Sequence, residues 1–75
     1  MDPKEIFDLI VKADEALKYA TPEKAAARAR QARDLLTRAR DEARAAGNQA
    51  LVDQAERRLT DLDAQAAGGT DPRGA

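Results

Sequence analysis

Apolar residues recur every three or four positions along most of this chain, and breaks marked by proline or glycine divide the pattern into three stretches. The first stretch opens with Asp2 as a cap, Pro3 at the first helical position and Glu5 at the capping-box position. An apolar stripe follows at helical spacing and consists of Ile6, Leu9, Ile10, Ala13, Ala16, Leu17 and Ala20. The pattern predicts a helix over about residues 3–20.

The second stretch carries the most regular pattern in the chain. Thr21 is its expected cap, and Pro22 suits the first helical position. Steps of four and three residues separate Ala25, Ala29, Ala32, Leu36, Ala39, Ala43 and Ala46, which we call the alanine seam. A helix over residues 22–46 therefore presents a stripe of mostly small side chains, which admits a neighbouring helix at close range.

The third stretch starts after Gly47, which suits the left-handed end of a helix, and Asn48 is the expected cap. Its apolar residues are Leu51, Val52, Ala55, Leu59, Leu62 and Ala66, which predict a helix over about residues 48–66. Residues 68–75 lack apolar periodicity and are predicted to form a disordered tail.

Short connections between the three predicted helices make sequence neighbours antiparallel. The sequence therefore predicts an all-α fold, an up-down-up antiparallel three-helix bundle with a long middle helix. We expect one domain over residues 1–67, followed by the flexible tail.

The residue types that are missing narrow the function classes. The chain has no cysteine and no histidine, so thiolate chemistry, cysteine zinc sites and the commonest general base are absent. Adjacent carboxylates such as those of Asp14 and Glu15 point about 100° apart on a helix and do not converge as an acid/base pair must. With no glycine-rich phosphate loop or calcium loop either, we expect a protein that is not an enzyme and has neither a cofactor nor a metal site.

Charge and hydropathy bear on location and partners. No apolar run approaches the roughly 20 residues of a membrane span, and no signal-peptide segment is present, so we expect the cytoplasm and no membrane partner. A net charge of -1 argues against the basic footprint of a nucleic-acid binder. The richness in alanine and arginine is typical of a bacterial genome of high GC content.

Four arginines of the second predicted helix fall within an arc of roughly 80° beside the alanine seam. They are Arg30, Arg33, Arg40 and Arg44, which we call the arginine ridge. One interpretation is an anion-binding surface, and the other is a flank that covers the seam and pairs with neighbouring helices. Residues 22–46 carry a net charge of +3, whereas residues 2–20 and 48–66 each carry -2, which favours pairing within the bundle.

Phe7 and Val11 lie one turn apart and well round from the centre of the first helix's stripe. Because a small bundle needs its large side chains, packing against the third helix is favoured, and a small exposed patch for a partner is the alternative. Tyr19 is expected at the edge of the bundle with its hydroxyl group in water.

Ala13, Ala25 and Ala32 are separated by twelve and seven residues, and Thr21 to Glu23 fall at a tight turn between helices. This spacing resembles the small-residue positions and inter-helix turn of a tetratricopeptide repeat. The resemblance covers roughly residues 9–62 and implies binding of a peptide or partner helix on a concave face. The chain departs from the family in its long second helix and in the lack of a second 34-residue unit.

Three helices in 75 residues with a long middle helix are also similar to the microtubule-interacting-and-trafficking domain, whose family binds short helical motifs in grooves between helices. Both resemblances imply a small helical adaptor that binds a protein or peptide. The candidate partner-binding residues are Phe7, Val11, Arg30, Arg33, Arg40 and Arg44. The alternative is a structural protein that forms a helical homo-oligomer through the alanine seam.

Overall fold

The computed structural model describes the backbone of residues 1–68 and the side chains of residues 1–65. Over that range the chain forms three α-helices, α1 (Pro3–Lys18), α2 (Ala25–Ala45) and α3 (Gln49–Gly68), and a short 3-10 turn at Pro22–Lys24. The predicted all-α three-helix bundle is confirmed. The predicted tail lies outside the described residues, apart from Gly68 at the end of α3.

The start of α1 is a capping box, as its sequence predicts. The backbone N–H of Glu5 donates to the carboxylate of Asp2 at 2.9 Å, and the N–H of Asp2 donates to the carboxylate of Glu5 at 3.1 Å. Two of the N–H groups that a helix start leaves unpaired are thereby satisfied within four residues of sequence.

The start of α2 corrects the prediction. The side chain of Thr21 makes no capping hydrogen bond, and Pro22–Lys24 forms a 3-10 turn in which the Lys24 N–H donates to the Thr21 carbonyl at 3.0 Å. The α-helix begins only at Ala25. Pro22–Lys24 form this tighter turn, which reverses the chain after α1. The helix predicted from the sequence pattern therefore starts about one turn before the observed α-helix.

The end of α2 is a Schellman motif centred on Gly47. The Asn48 N–H donates to the Ala43 carbonyl at 2.8 Å, and the Gly47 N–H donates to the Arg44 carbonyl at 3.1 Å. Gly47 has a φ of +71°, in the left-handed region. Asn48 then caps α3, because its side-chain oxygen accepts from the Leu51 N–H at 3.2 Å. The predicted stop and start signals at this junction are confirmed.

Gly47→Ala is expected to lower the free energy of unfolding by about 1 kcal/mol, because a Cβ atom strains the left-handed backbone. No heavy atom lies within 4 Å of the position of that Cβ, so the loss comes from backbone conformation alone. Urea denaturation measures the difference. Gly47→Asn, which tolerates this conformation better, should lose less, and equal losses for the two variants would contradict the explanation.

The hydrophobic core lies along the middle of α2, where α1 and α3 both pack against it. The largest fully buried side chains are Ile6, Ile10 and Leu36. Ala32, Leu36, Ala39 and Ala43 of the alanine seam are 0% exposed, Ala29 is partly buried, and Ala25 and Ala46 are exposed. The seam prediction is therefore confirmed for the middle of α2 and wrong at both ends of the seam.

The arrangement of the helices around α2 is uneven. α1 and α3 each pack closely on α2, and they meet each other much less. Asp14 on α1 accepts hydrogen bonds of 3.1 Å from the guanidinium of Arg58 on α3, which joins the two outer helices. No helix within residues 1–68 is both long enough and apolar enough to cross a membrane.

Candidate partner-binding groove

An open groove of about 560 Å³ lies where the end of α1, the start of α2 and the late part of α3 meet. We call it the end groove. Its lining consists of Leu17, Ala20, Ala25, Ala26, Ala29, Leu62, Arg30, Arg33 and Gln65. Six of these nine residues are apolar, and a volume of this size lies within the range of roughly 300–1,000 Å³ that ligand sites occupy.

The end groove forms where the alanine seam continues past the part that α1 and α3 cover. Ala29 is partly buried and Ala25 is exposed, although both continue the spacing of the buried seam residues. Their side chains are short, so the surface of α2 is low between Leu17 on α1 and Leu62 on α3. The groove is therefore the first part of the seam, which the described residues leave uncovered.

Most of the arginine ridge is paired with carboxylates of the same chain. Arg33 forms a salt bridge with Asp63, and Arg44 forms one with Glu56 at 3.0 Å. Both pairs join α2 to α3, in agreement with the charge counts of the two helices. These arginines hold neighbouring helices together at the surface, where each such pair contributes roughly 0.2–1 kcal/mol.

Arg30 differs from the other three arginines of the ridge. Arg40 lies 3.1 Å from the carboxylate of Asp41, the next residue, whereas Arg30 makes no salt bridge to any carboxylate of residues 1–65. Even Asp34, one helical turn further along, is not paired with it. Arg30 is exposed and lines the end groove, so it places an uncompensated positive charge beside an apolar surface.

Phe7 and Val11 lie apart from the groove, and the expectation that both pack in the core is wrong for Phe7. Its side chain is 44% exposed, and Val11 is half-buried. Phe7 precedes Asp14 by seven residues, so it shares the face of α1 that is linked to α3. It stays at the surface because the two outer helices approach each other so little. Leu17 is ten residues further along α1, about 15 Å away.

Tyr19 lies at the edge of the bundle, as expected, and is 68% exposed. The ammonium group of Lys18 is 5.4 Å from the centre of its ring. Tyr19 borders a smaller depression between α1 and α2, which also includes Arg28 and Leu35 and is separate from the end groove.

Of the nine lining residues, the sequence named only Arg30 and Arg33 as site residues. It missed the other seven, which are Leu17, Ala20, Ala25, Ala26, Ala29, Leu62 and Gln65. Leu17 and Leu62 are 45 positions apart, and each reads as an ordinary core residue of its own helix. The available signal was the continuation of the alanine seam to Ala25 at the start of the second predicted helix. The seam indicates an apolar surface at the start of α2 that has to be covered, but it does not indicate which helix or partner covers it.

Comparisons of the chain with protein-family models, curated proteins and solved structures find no match. The resemblances to tetratricopeptide repeats and to the microtubule-interacting-and-trafficking domain therefore stay predictions. Within the part of the chain that the structure describes, no group of three or more acidic side chains is placed to hold a metal ion.

Proposed function

We propose that this protein is a small non-enzymatic adaptor that binds a peptide or partner helix in the end groove. The observation that supports the proposal most directly is an open, mainly apolar groove of about 560 Å³ between the ends of three helices. Exposure of such an apolar surface to water is unfavourable, and a partner's aliphatic side chains would bury it. The cytoplasm is its proposed place of action, on sequence grounds.

The shape of the groove suits a segment with several side chains better than an enclosed small molecule. Small-molecule sites bury most of the ligand, whereas this groove is open along the surface of α2. Residues 1–68 contain no strand, so a peptide has no sheet edge to which it could add. Among the other common modes, a helix whose apolar face lies in a hydrophobic groove fits this mainly aliphatic lining.

Self-assembly through the alanine seam is the second candidate, and the regular spacing of the seam is what favours it. In the structure the middle of the seam is covered within one chain, so pairing between chains requires α1 or α3 to move away. Stable interfaces bury about 800 Å² on each partner. The large apolar side chains exposed among the described residues are Met1, Phe7 and Tyr19, which supply a minor part of that area.

Filling the groove is expected to weaken partner binding without unfolding the protein. The probe is a synthetic amphipathic helix with leucines at helical spacing, titrated into isotopically labelled protein. NMR signals of Leu17, Ala29 and Leu62 should shift in the wild type. Ala26→Leu should weaken binding about fivefold or more, because the added side chain occupies the groove.

Ala27→Leu is the matched control, since Ala27 is also exposed on the first turn of α2 but does not line the groove. It should bind the peptide as the wild type does. If no helical peptide shifts the groove signals at about 1 mM, the weak end of specific binding, the proposed function is wrong. Equal binding by both leucine variants would place the contact elsewhere on the surface.

A further inference from the structure

We infer that the partner of the end groove is an acidic amphipathic helix, which places an aspartate or glutamate side chain against Arg30 while its apolar stripe packs along the start of α2. The inference rests on the proposed function, because it names the chemistry of the partner for the same groove.

The positive charge of the groove lining favours an acidic partner. Among the described residues that line the groove, two are arginines and none carries a carboxylate. Arg33 is compensated by Asp63, which leaves Arg30 as the uncompensated charge among the described lining residues. A carboxylate would be attracted to this rim, and a lysine would be repelled.

The continuation of the alanine seam into the groove favours a helical partner. In the middle of α2 the steps of four and three residues present small side chains to α1 and α3, and those side chains are completely buried. Ala25 and Ala29 continue the same steps into the groove without cover from the described residues. A partner helix therefore meets there the spacing that already packs against two helices of this chain.

Residues 69–75 of the same chain are a rival occupant, because Gln65 lines the groove near the end of α3 and the chain continues beyond that helix. That segment contains one aspartate and one arginine but no leucine, isoleucine, valine, methionine or aromatic residue. Large apolar side chains are needed to fill a groove of about 560 Å³ with an apolar floor. An external helix can supply them, whereas this segment cannot.

The test compares two helical peptides that share one leucine stripe and differ only in the residues beside it, glutamate in one and lysine in the other. Fluorescence anisotropy with the full chain at about 0.01 M ionic strength should show the glutamate peptide bound about tenfold more tightly. The ratio should shrink towards one at about 1 M salt, where the screening length falls to about 3 Å.

Arg30→Glu should reverse the preference, so that the lysine peptide binds more tightly than the glutamate peptide. Arg38→Glu is the matched control: Arg38 is an exposed arginine of α2 that has no salt bridge among the described residues and does not line the groove. It should keep the wild-type preference. Circular dichroism checks that both variants have the wild-type helix content.

The outcomes separate this inference from the proposed function. If both peptides bind equally and still shift NMR signals of the groove, the inference of an acidic partner is wrong and the proposed adaptor function is retained. If neither peptide binds, both the inference and the proposed function are wrong. Tighter binding of both peptides after deletion of residues 69–75 identifies the chain's own segment as the occupant and overturns the inference. If sedimentation shows a dimer and Ala26→Leu dissociates it, a second copy of the chain is the occupant of the groove, and the inference is again overturned.

Discussion

Replacing Leu36 by alanine is expected to lower the free energy of unfolding by about 2–5 kcal/mol. Leu36 is completely buried at the centre of α2 and belongs to the core cluster that joins all three helices. The shortened side chain would leave a cavity that two neighbouring helices can only partly close. The core of a domain of 75 residues rarely supplies more than about 3–5 kcal/mol of net stability. Much of the population should therefore be unfolded at 25 °C.

Urea denaturation followed by circular dichroism measures this loss. Leu35→Ala is the control, because it makes the same change at the adjacent residue, which is only half-buried. It should lose clearly less stability than Leu36→Ala. Equal losses at the two positions would mean that the core is not organised around the alanine seam.

Enlarging Ala39 to leucine is expected to destabilise the protein by about 1–3 kcal/mol, although the change adds apolar volume. Ala39 is 0% exposed and lies in the middle of the seam, where its small side chain lets the neighbouring helices approach α2. The larger side chain has to push a helix outward and disturb contacts along it. For a domain of this size, the melting temperature should fall by roughly 5–20 °C.

Ala45→Leu is the matched control for this second substitution, because Ala45 lies on the same helix and is exposed. Its melting temperature should stay within a few degrees of the wild type. A more stable Ala39→Leu protein would show that the middle of the seam contains unfilled space. Close packing on alanine would then not be what holds the bundle together.

Several features followed from the sequence because residues within a few positions of each other decide them. The capping box of Asp2 and Glu5, the left-handed stop at Gly47 and the cap at Asn48 depend on hydrogen bonds within four or five residues. The periodic seam likewise indicated which face of α2 is buried. Charge counts indicated that arginines of α2 would meet carboxylates of a neighbouring helix, as Arg33 and Arg44 do.

Other features were decided only by how far each helix extends beside its neighbours. Ala25 and Ala32 look alike in the sequence, yet one is exposed in the groove and the other is completely buried. Arg30 and Arg33 lie on the same ridge, and only Arg33 has a carboxylate of α3 beside it. Phe7 stayed at the surface because α1 and α3 pack on α2 rather than on each other.

The physical reason is the range of the interactions involved. Hydrogen bonds of a cap and the periodicity of one helix depend on a short segment, so the sequence alone determines them. The end groove depends on the relative positions of Leu17, Ala29 and Leu62, which are set by packing summed over three whole helices. No local sequence pattern specifies those positions. Only the tertiary structure places an apolar surface beside Arg30, which has no salt bridge among the described residues.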